Sequence, residues 1–269
     1  NGIPVKLPRR ILSGLLAAVL VPLGAIALAP AAPAAADEPA PAGASGTPAT
    51  VSADALPTAQ VSGIVWDQVV VGDIVYAVGL FSAVRPAGSP VGQNESPRGN
   101  AMAYNINTGE ILDWAPTTDK SIHAIAASAD GQTLYIGGDF TQLNGQTAWR
   151  IAAVKAADGQ RSPLGAAANN SVKALSVSAD GSTLYMGGAF TQINRSARQR
   201  AAALDLSTQK LTDFAPAVDN YYVQAIVGAT DGSAVAIGGS FESVGGSDRP
   251  GYGLAILEND GSLRKNNVS

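Results

Sequence analysis

The chain has 269 residues and no cysteine, which excludes a disulfide framework, a thiolate nucleophile and any cysteine-ligated metal. Its formal net charge is −4, and a mildly acidic chain is a poor match for nucleic acid or for an anionic membrane surface. The single histidine, His123, cannot form the usual zinc site alone. The composition therefore predicts a chain that is held together by its apolar core, without a metal ion or a cofactor.

Residues 1–36 have the pattern of a signal peptide. Three basic residues precede an apolar run over 11–29, and the alanines at 34–36 form a small-residue cleavage site. A transmembrane anchor is the alternative, because about 18 apolar residues can span a bilayer. Pro22 and the alanine- and proline-rich exit favour cleavage. We therefore predict a secreted, extracellular protein that is not inserted in a membrane after cleavage.

The segment 37–60 consists of Ala, Pro, Gly, Ser and Thr with almost no large side chains. Such a segment cannot bury enough apolar surface to offset the entropy that is lost on ordering. We therefore predict a flexible linker between the leader and a folded region that begins at residue 61.

A motif of a short apolar strand, two glycines and a phenylalanine recurs about every 50 residues. Clear copies occupy 134–145, 184–194 and 235–244, and a weaker first copy occupies 75–84. Glycines at such a place let the backbone bend, or approach a neighbour where a Cβ would clash. We predict that the paired glycines end the strand and that the phenylalanines pack between neighbouring repeats. The predicted structural core is Gly79, Phe81, Gly137, Gly138, Phe140, Gly187, Gly188, Phe190, Gly238, Gly239 and Phe241.

Each repeat contains several short predicted strands. In the second repeat, apolar residues alternate over 122–127, which predicts a first strand, and Asp130 and Gly131 suit a tight hairpin turn. The second strand is predicted at 133–136 and the third at 150–156, followed by a short fourth strand. Without a helical period, this pattern predicts an all-β fold. Four strands and about 50 residues per repeat fit a β-propeller blade, with a β-solenoid as the alternative. The repeats are expected at 61–121, 122–171, 172–222 and 223–263, with a tail at 264–269 and an incomplete ring.

The first repeat carries an insertion after its phenylalanine. The segment 85–99 is rich in Pro, Gly and Ser and is the longest loop in the repeats. Long loops on rigid scaffolds often carry function, although a tolerated surface insertion is the alternative. The candidate binding residues of this loop are Arg85, Asn94, Glu95 and Arg98.

The repeated pattern Asp-Gly-x-Thr-Leu-Tyr-x-Gly-Gly-x-Phe-Thr-x-(Leu/Ile)-Asn resembles that of the kelch-like or delta-60 repeat propellers. These occur in secreted bacterial surface proteins, often ahead of PKD or similar adhesion-type domains. The resemblance covers about 63–263 and includes the joints Trp-Ala-Pro at 114–116 and Phe-Ala-Pro at 214–216. It implies a binding scaffold at the cell surface and brings no catalytic residues with it. The chain departs from the pattern at Val78, where a glycine is lost, and at Arg195, where a glycine is expected.

Few residues suggest chemistry. His123 takes the same strand position as Lys173 and Gln224, so we expect an ordinary solvent-facing side chain, and a Ser-His-Asp triad would need this one histidine. The most conspicuous carboxylates are explained by hairpin turns, and they are Asp130, Asp180 and Asp231. We therefore predict no catalytic residues and no metal ligands.

Three functional hypotheses remain from the sequence. The first is a monomeric, non-enzymatic β-propeller that binds an extracellular protein or polysaccharide, with a possible attachment to the cell surface. The second is a propeller enzyme, either a quinoprotein or kelch-type oxidoreductase or a hydrolase, whose active site is supplied by further blades. The third is a structural spacer that presents another domain.

Overall fold

The computed structural model describes residues 58–248 and 251–264. The predicted signal peptide, most of the predicted linker and nearly all of the predicted tail lie outside the described residues. Within the described residues the regular secondary structure comprises 21 β-strands and no helix, and the predicted all-β fold is confirmed. Accordingly, this part of the chain contains no apolar helix that is long enough to cross a membrane.

The first repeat forms one antiparallel sheet around a long hairpin. The hairpin turns at Gly72, which has a φ of 59°. The first strand begins at Gln60, so it takes in the last residue of the predicted linker. The strands are β1 (Gln60–Val71), β2 (Ile74–Arg85), β3 (Ser96–Pro97) and β4 (Ala101–Asn105), with β3 and β4 both paired to β2.

The second and third repeats are built alike. Each has a four-stranded antiparallel sheet and a separate two-stranded hairpin that follows the phenylalanine. In the second repeat the strands are β5 (Ile122–Ala127), β6 (Thr133–Gly138), β7 (Gln142–Leu143), β8 (Gln146–Thr147), β9 (Ile151–Lys155) and β10 (Arg161–Ser162), with sheet order β10-β9-β6-β5. In the third repeat they are β11 (Val172–Val177), β12 (Thr183–Gly188), β13 (Gln192–Ile193), β14 (Ser196–Ala197), β15 (Ala201–Asp205) and β16 (Lys210–Leu211), with sheet order β11-β12-β15-β16.

The fourth repeat has a three-stranded sheet, and an isolated bridge from Leu257 to Leu263 stands where the second and third repeats have a fourth strand. The short strand that precedes the sheet pairs with the segment that follows Phe241. The strands are β17 (Val218–Asp219), β18 (Val223–Gly228), β19 (Val235–Gly239), β20 (Ser243–Val244) and β21 (Leu254–Leu257).

The hairpin turns form at the predicted aspartate–glycine pairs. Gly131, Gly181 and Gly232 have φ values of 69°, 73° and 71°, in the left-handed region that glycine adopts without strain. The preceding aspartate accepts a hydrogen bond from the amide two residues later, as Asp130 does from Gln132 at 3.0 Å. Side-chain and backbone chemistry together therefore fix where each hairpin turns.

The paired glycines end the second strand of the repeat, as the sequence pattern predicts. The strands β6, β12 and β19 include both glycines and stop at the second one, which is Gly138, Gly188 or Gly239. A Cβ on Gly138 would lie 2.2 Å from Ser121 O, just before the neighbouring strand, and one on Gly188 would lie 2.1 Å from Ser171 O. The second glycine of the pair is thus needed because the backbone that enters the first strand of the sheet approaches it closely.

The core lies between successive sheets. The first strands are neighbours, since β5 lies beside both β1 and β11, and β11 also lies beside β18. A Cβ on Gly137 would lie 2.5 Å from Val172 Cγ1, so the first glycine of the pair allows the next sheet to pack closely. Three buried clusters fill these interfaces, and Phe140, Phe190 and Phe241 lie in one cluster each.

Aromatic residues join consecutive repeats at the predicted joints. Trp114 packs edge-on against Tyr76, with ring centroids 4.9 Å apart, and its Nε1 donates to Lys155 O at 3.0 Å. Tyr76 also reaches the second repeat, because its hydroxyl donates to Ala156 O at 3.0 Å. Phe214 packs in the same way against Tyr185, at 5.4 Å. These contacts fix the orientation of each sheet relative to the next.

Candidate functional site: a row of bulged residues

The first strand of every repeat contains a β-bulge at the same place in its ladder. The register skips one residue between Val65 and Asp67, and it skips one residue at the matching point of β5, β11 and β18. A bulged residue has no direct cross-strand partner, and bulges are frequent where a side chain is aimed at a functional surface. The bulged residues are Trp66, His123, Lys173 and Gln224, and we call them the bulge row.

Contacts link the bulge row from one repeat to the next. The rings of Trp66 and His123 meet edge-on with centroids 5.8 Å apart. His123 Nε2 lies 2.9 Å from Asp139 Oδ2, and Lys173 Nζ lies 5.1 Å from the centre of the Tyr222 ring. These contacts bring aromatic and charged groups of neighbouring repeats together beside the bulges.

Asp67 holds the first two members of the row together. Its Oδ2 accepts a hydrogen bond from the backbone amide of Ile125 at 2.9 Å, which ties β1 to β5 just beside Trp66. Burial raises the pKa of Asp67, and the hydrogen bonds from Ile125 and Gln68 offset only part of that rise. The carboxylate therefore acts as a structural link between sheets.

Asp139 is the charged centre of the surface. Burial by itself raises the pKa of Asp139, but the interactions with His123, Ser171 and Lys173, in that order, outweigh that effect, and the net pKa is lowered. The side chain is still 41% exposed. An ionised carboxylate that neighbours stabilise, and that solvent can reach, is well placed to accept hydrogen bonds from a ligand.

The positions that flank the bulge row also change from repeat to repeat. In the first repeat they are apolar and exposed, since Ile64 is 50% exposed and Leu80 is 52% exposed, next to Trp66 at 53%. In the second repeat they are Ser121 and Asp139, at the same places beside the glycine pair. The surface thus has an apolar end and a polar end on one repeated frame.

The geometry around His123 does not form a catalytic triad. Ser121 Oγ lies 3.3 Å from His123 Nε2, and Asp139 Oδ2 approaches the same nitrogen. A Ser-His-Asp triad needs the serine and the carboxylate on opposite nitrogens of the ring. In the part of the chain that the structure describes, no three His, Asp or Glu side chains lie close enough together to hold a metal ion. The arrangement suits binding through stacking and hydrogen bonding.

The expectation that His123 faces solvent is wrong. Its side chain is only 17% exposed, because it packs against Trp66 and bonds to Asp139. Its equivalence to Lys173 and Gln224 was visible from the period of the repeats. The equivalence of Trp66 to these residues does not follow from the period, because Trp66 precedes His123 by 57 residues, whereas His123 precedes Lys173 by 50. The first repeat is longer than the others, and this difference in length hides the match between Trp66 and His123 in the sequence.

The candidate binding loop of the first repeat is held by contacts of its own. Arg85 Nη2 donates to Gln60 Oε1 at 2.8 Å, and Arg85 Nη1 lies 3.7 Å from Glu95 Oε1. Arg98 donates to backbone carbonyls, and the Asn94 amide donates to a serine hydroxyl in the same loop. These residues lie apart from the contacts of the bulge row, and a binding role for the loop stays a prediction.

Comparison with known proteins gives little further guidance. No family model matches this chain, and no curated protein matches it. The hydrazine synthase of Kuenenia stuttgartiensis is similar in structure, with 13% sequence identity and a TM-score of 0.43. The similarity covers 69% of this chain and 46% of that chain, so this chain spans less than half of that protein's length. A likeness this distant identifies neither a family nor an activity.

Proposed function

We propose that this chain is a secreted or cell-surface β-propeller that acts as a non-enzymatic scaffold and binds an extracellular protein or polysaccharide. The bulge row carries this proposal. One ladder position, in four sheets of the same design, holds a tryptophan, a histidine, a lysine and a glutamine. A position that only supported the frame would keep similar side chains, as the glycine opposite the bulge does. Different side chains on a common frame suit the recognition of a ligand.

The propeller arrangement is supported by the order of the strands. The first strand of each sheet is at a sheet edge, and these edge strands are neighbours of one another. In a propeller, the first strands of the blades surround a central axis, and the bulge row would then lie on one face close to that axis. An experimental structure tests this arrangement. Sheets that are stacked in a line, rather than turned about a common axis, would favour a solenoid.

The binding function is tested with the intact chain on two panels of probes. One panel contains neutral and acidic oligosaccharides on an array, and the other contains collagen and fibronectin. A variant with Trp66→Ala, Lys173→Ala and Gln224→Ala is compared with wild type. These side chains are exposed or half-buried, so the variant should fold, and melting followed by circular dichroism checks this. We expect at least one probe to bind and the variant to lose at least tenfold in affinity.

A matched control carries Gln132→Ala, Lys210→Ala and Thr230→Ala, three exposed residues outside the bulge row. It should bind as wild type does. Equal binding by the bulge-row variant would remove the row from the proposed function. A hydrolytic or oxidative activity that the row variant abolishes would contradict the non-enzymatic part of the proposal.

A further inference from the structure

A second surface, away from the bulge row, has the features of a ligand site. It is a cleft of about 540 Å³ where the second and third repeats meet, and its rim carries Trp149, Gln192 and Arg195. Two alanines at 167 and 168 form part of its wall, and Asn169 and Asn194 complete it.

Trp149 lies at this cleft with about half of its surface exposed. Its side chain is 53% exposed, and in the described residues its hydrogen bonding is limited to a backbone carbonyl that accepts from the amide of Ala168. The carbonyl of the next residue, Arg150, accepts a hydrogen bond from the amide of Gly138, as the carbonyl of Arg200 does from the amide of Gly188. The residue that precedes Arg200 is Gln199, so the frame does not require tryptophan here. An exposed tryptophan at a place where the next repeat has glutamine offers a flat apolar face to a ligand.

Arg195 adopts a backbone conformation that suits glycine. Its φ is 65°, and Gly145, which holds the same place in the hairpin of the second repeat, has a φ of 74°. Non-glycine residues are disfavoured in this left-handed region, and such outliers cluster at functional sites. The Arg195 side chain is exposed, and within the described residues its guanidinium has no hydrogen bond and no ion pair. The guanidinium of Arg195 is therefore exposed at the cleft, and the disfavoured backbone conformation of Arg195 lowers the stability of the fold.

The polar wall of the cleft is rigid. Asn169 Oδ1 accepts from the amides of Thr191 and Gln192 at 3.0 and 3.1 Å, and Asn194 Oδ1 accepts from the amide of Ala167 at 2.9 Å. These bonds fix the hairpin that carries Arg195. The side chain of Gln192 is exposed and, in the described part of the chain, makes no hydrogen bond of its own. Its amide is free to bond a ligand hydroxyl.

The segment that forms most of the cleft is basic although the chain as a whole is acidic, and Arg195 is the charged residue of the cleft lining. Between 145 and 200 there are seven basic residues and two acidic ones, Asp158 and Asp180. Apart from Arg195, the arginines of this region bond to carbonyl oxygens, as Arg161 does to Thr147 O, and among the described residues none of the arginines forms a salt bridge with a carboxylate. An anionic group is therefore favoured at this cleft.

We propose that this cleft binds an acidic saccharide. Trp149 stacks on the apolar face of a sugar ring, Arg195 pairs with the carboxylate or sulfate of that sugar through two parallel hydrogen bonds, and Gln192 bonds a hydroxyl. This inference rests on the proposed function, because it assigns the polysaccharide partner to a defined site, but it does not use the bulge row.

Calorimetry with the intact chain tests the inference. The probes are oligogalacturonate, which carries carboxylates, short dextran sulfate, which carries sulfates, and neutral dextran as the uncharged reference. We expect one or both of the charged saccharides to bind at least tenfold more tightly than dextran. The charged probe that binds better identifies the anion. Equal affinity for dextran, or no binding of either charged probe, would overturn the proposal.

Two variants locate the site. Arg195→Gly should lower affinity at least tenfold without lowering the melting temperature, because glycine suits the positive φ. Trp149→Ala should cause a similar loss. Lys210→Gln removes the same charge from an exposed position of the third sheet, outside the cleft, and should leave binding unchanged. Unchanged binding by Arg195→Gly would overturn the proposal.

The same measurements separate this inference from the proposed function. If the bulge-row variant loses binding of the charged saccharide and Arg195→Gly keeps it, the cleft is not the site, and the proposed function stands. If Arg195→Gly loses binding and the bulge-row variant keeps it, the cleft is the site, and the bulge row is not the saccharide surface.

Discussion

A single carboxylate closes each hairpin turn, and Asp180 shows how. Its Oδ1 accepts from Ser178 Oγ at 2.5 Å and from the amide of Ser182 at 3.1 Å. The hydrogen bond from Ser178 is the largest cause that lowers the pKa of Asp180 from 3.8 to about 2, followed by the bonds from Ser182. Because the folded-state pKa is below the ordinary value, the ionised carboxylate stabilises the fold above pH 3.8 and loses this effect as the pH falls through about 2.

Replacing Ser178 by alanine should raise the pKa of Asp180 toward its ordinary value, because the strongest hydrogen bond to the carboxylate is removed. The pH dependence of stability between about pH 4 and pH 2 should then become shallower. Carbon-13 NMR of the side-chain carboxyl groups measures the pKa directly. Ser128→Ala, the same change in the turn of Asp130, serves as the control and should leave Asp180 unaltered. A pKa of Asp180 that stays near 2 in Ser178→Ala would contradict this assignment.

At the scale of elements, one buried amide ties the first sheet to the strand that begins the second. Asn100 has a φ of 75° and is 8% exposed. Its Oδ1 accepts from the amide of Phe81 at 3.1 Å, and its Nδ2 donates to Thr118 O and Lys120 O at 3.2 and 3.1 Å. Arg200 makes comparable bonds to the carbonyls that precede β18. The residue opposite the phenylalanine thus holds the connection to the next repeat.

Asn100→Gly should destabilise the protein by about 2 kcal/mol, because it leaves a buried amide and two carbonyls without partners while it keeps the positive φ. Denaturant unfolding measures the change. Asn94→Gly is the matched control, since Asn94 also has a positive φ but is exposed and makes one side-chain hydrogen bond. We expect that control to change stability by less than about 0.5 kcal/mol. Equal effects of the two substitutions would mean that the Asn100 bonds contribute little.

The strands and their turns were predictable, because local patterns specify them. The pairs at Asp130, Asp180 and Asp231 place the hairpins, and the alternation around Ile122 gives the strand before the first of them. The end of β6 at its glycine pair was also predictable, but the inclusion of both glycines in the strand was not, because it depends on their pairing with Ala124 and Ile122 of another strand. The hairpins of β7 and β8 were missed for a different reason, since two-residue strands are too short to show a period.

At the scale of the whole molecule, the packing of one sheet on the next can be tested at a single repeated position. A Cβ on Gly137 would lie 2.5 Å from Val172 Cγ1 of the next sheet, whereas the nearest atom to a Cβ on Gly238 is 3.8 Å away. Gly137→Ala should therefore cost about 1–3 kcal/mol through overpacking. Gly238→Ala should leave the free energy of unfolding unchanged or raise it by up to about 1 kcal/mol, because alanine is less flexible than glycine in the unfolded chain.

Thermal and denaturant unfolding of the 269-residue chain compare these two variants. Comparing Gly137→Ala with Gly238→Ala isolates the effect of packing between sheets, because both glycines occupy the same place beside the bulge of their own sheet. A comparable loss in both variants would show that the effect arises within a sheet and not between sheets.

The candidate site was predictable only in part. The shared strand position of His123, Lys173 and Gln224 follows from the period of the sequence. The contact of His123 with Trp66 and the bond of His123 to Asp139 could not be predicted from that period, because they depend on the spacing and twist of neighbouring strands and sheets. The cleft at Trp149 depends in the same way on how the hairpin that carries Arg195 lies against the second repeat.

The bulges have a consequence for how such a protein can change over time. Copying one repeat of the gene copies its glycine, its bulge and the direction in which the bulged residue points. The new copy therefore keeps the same frame, and its bulged position is free to vary. A substitution at one codon then alters what the surface attracts while the frame stays as it was. The differences among Trp66, His123, Lys173 and Gln224 are what such duplication followed by divergence would leave behind.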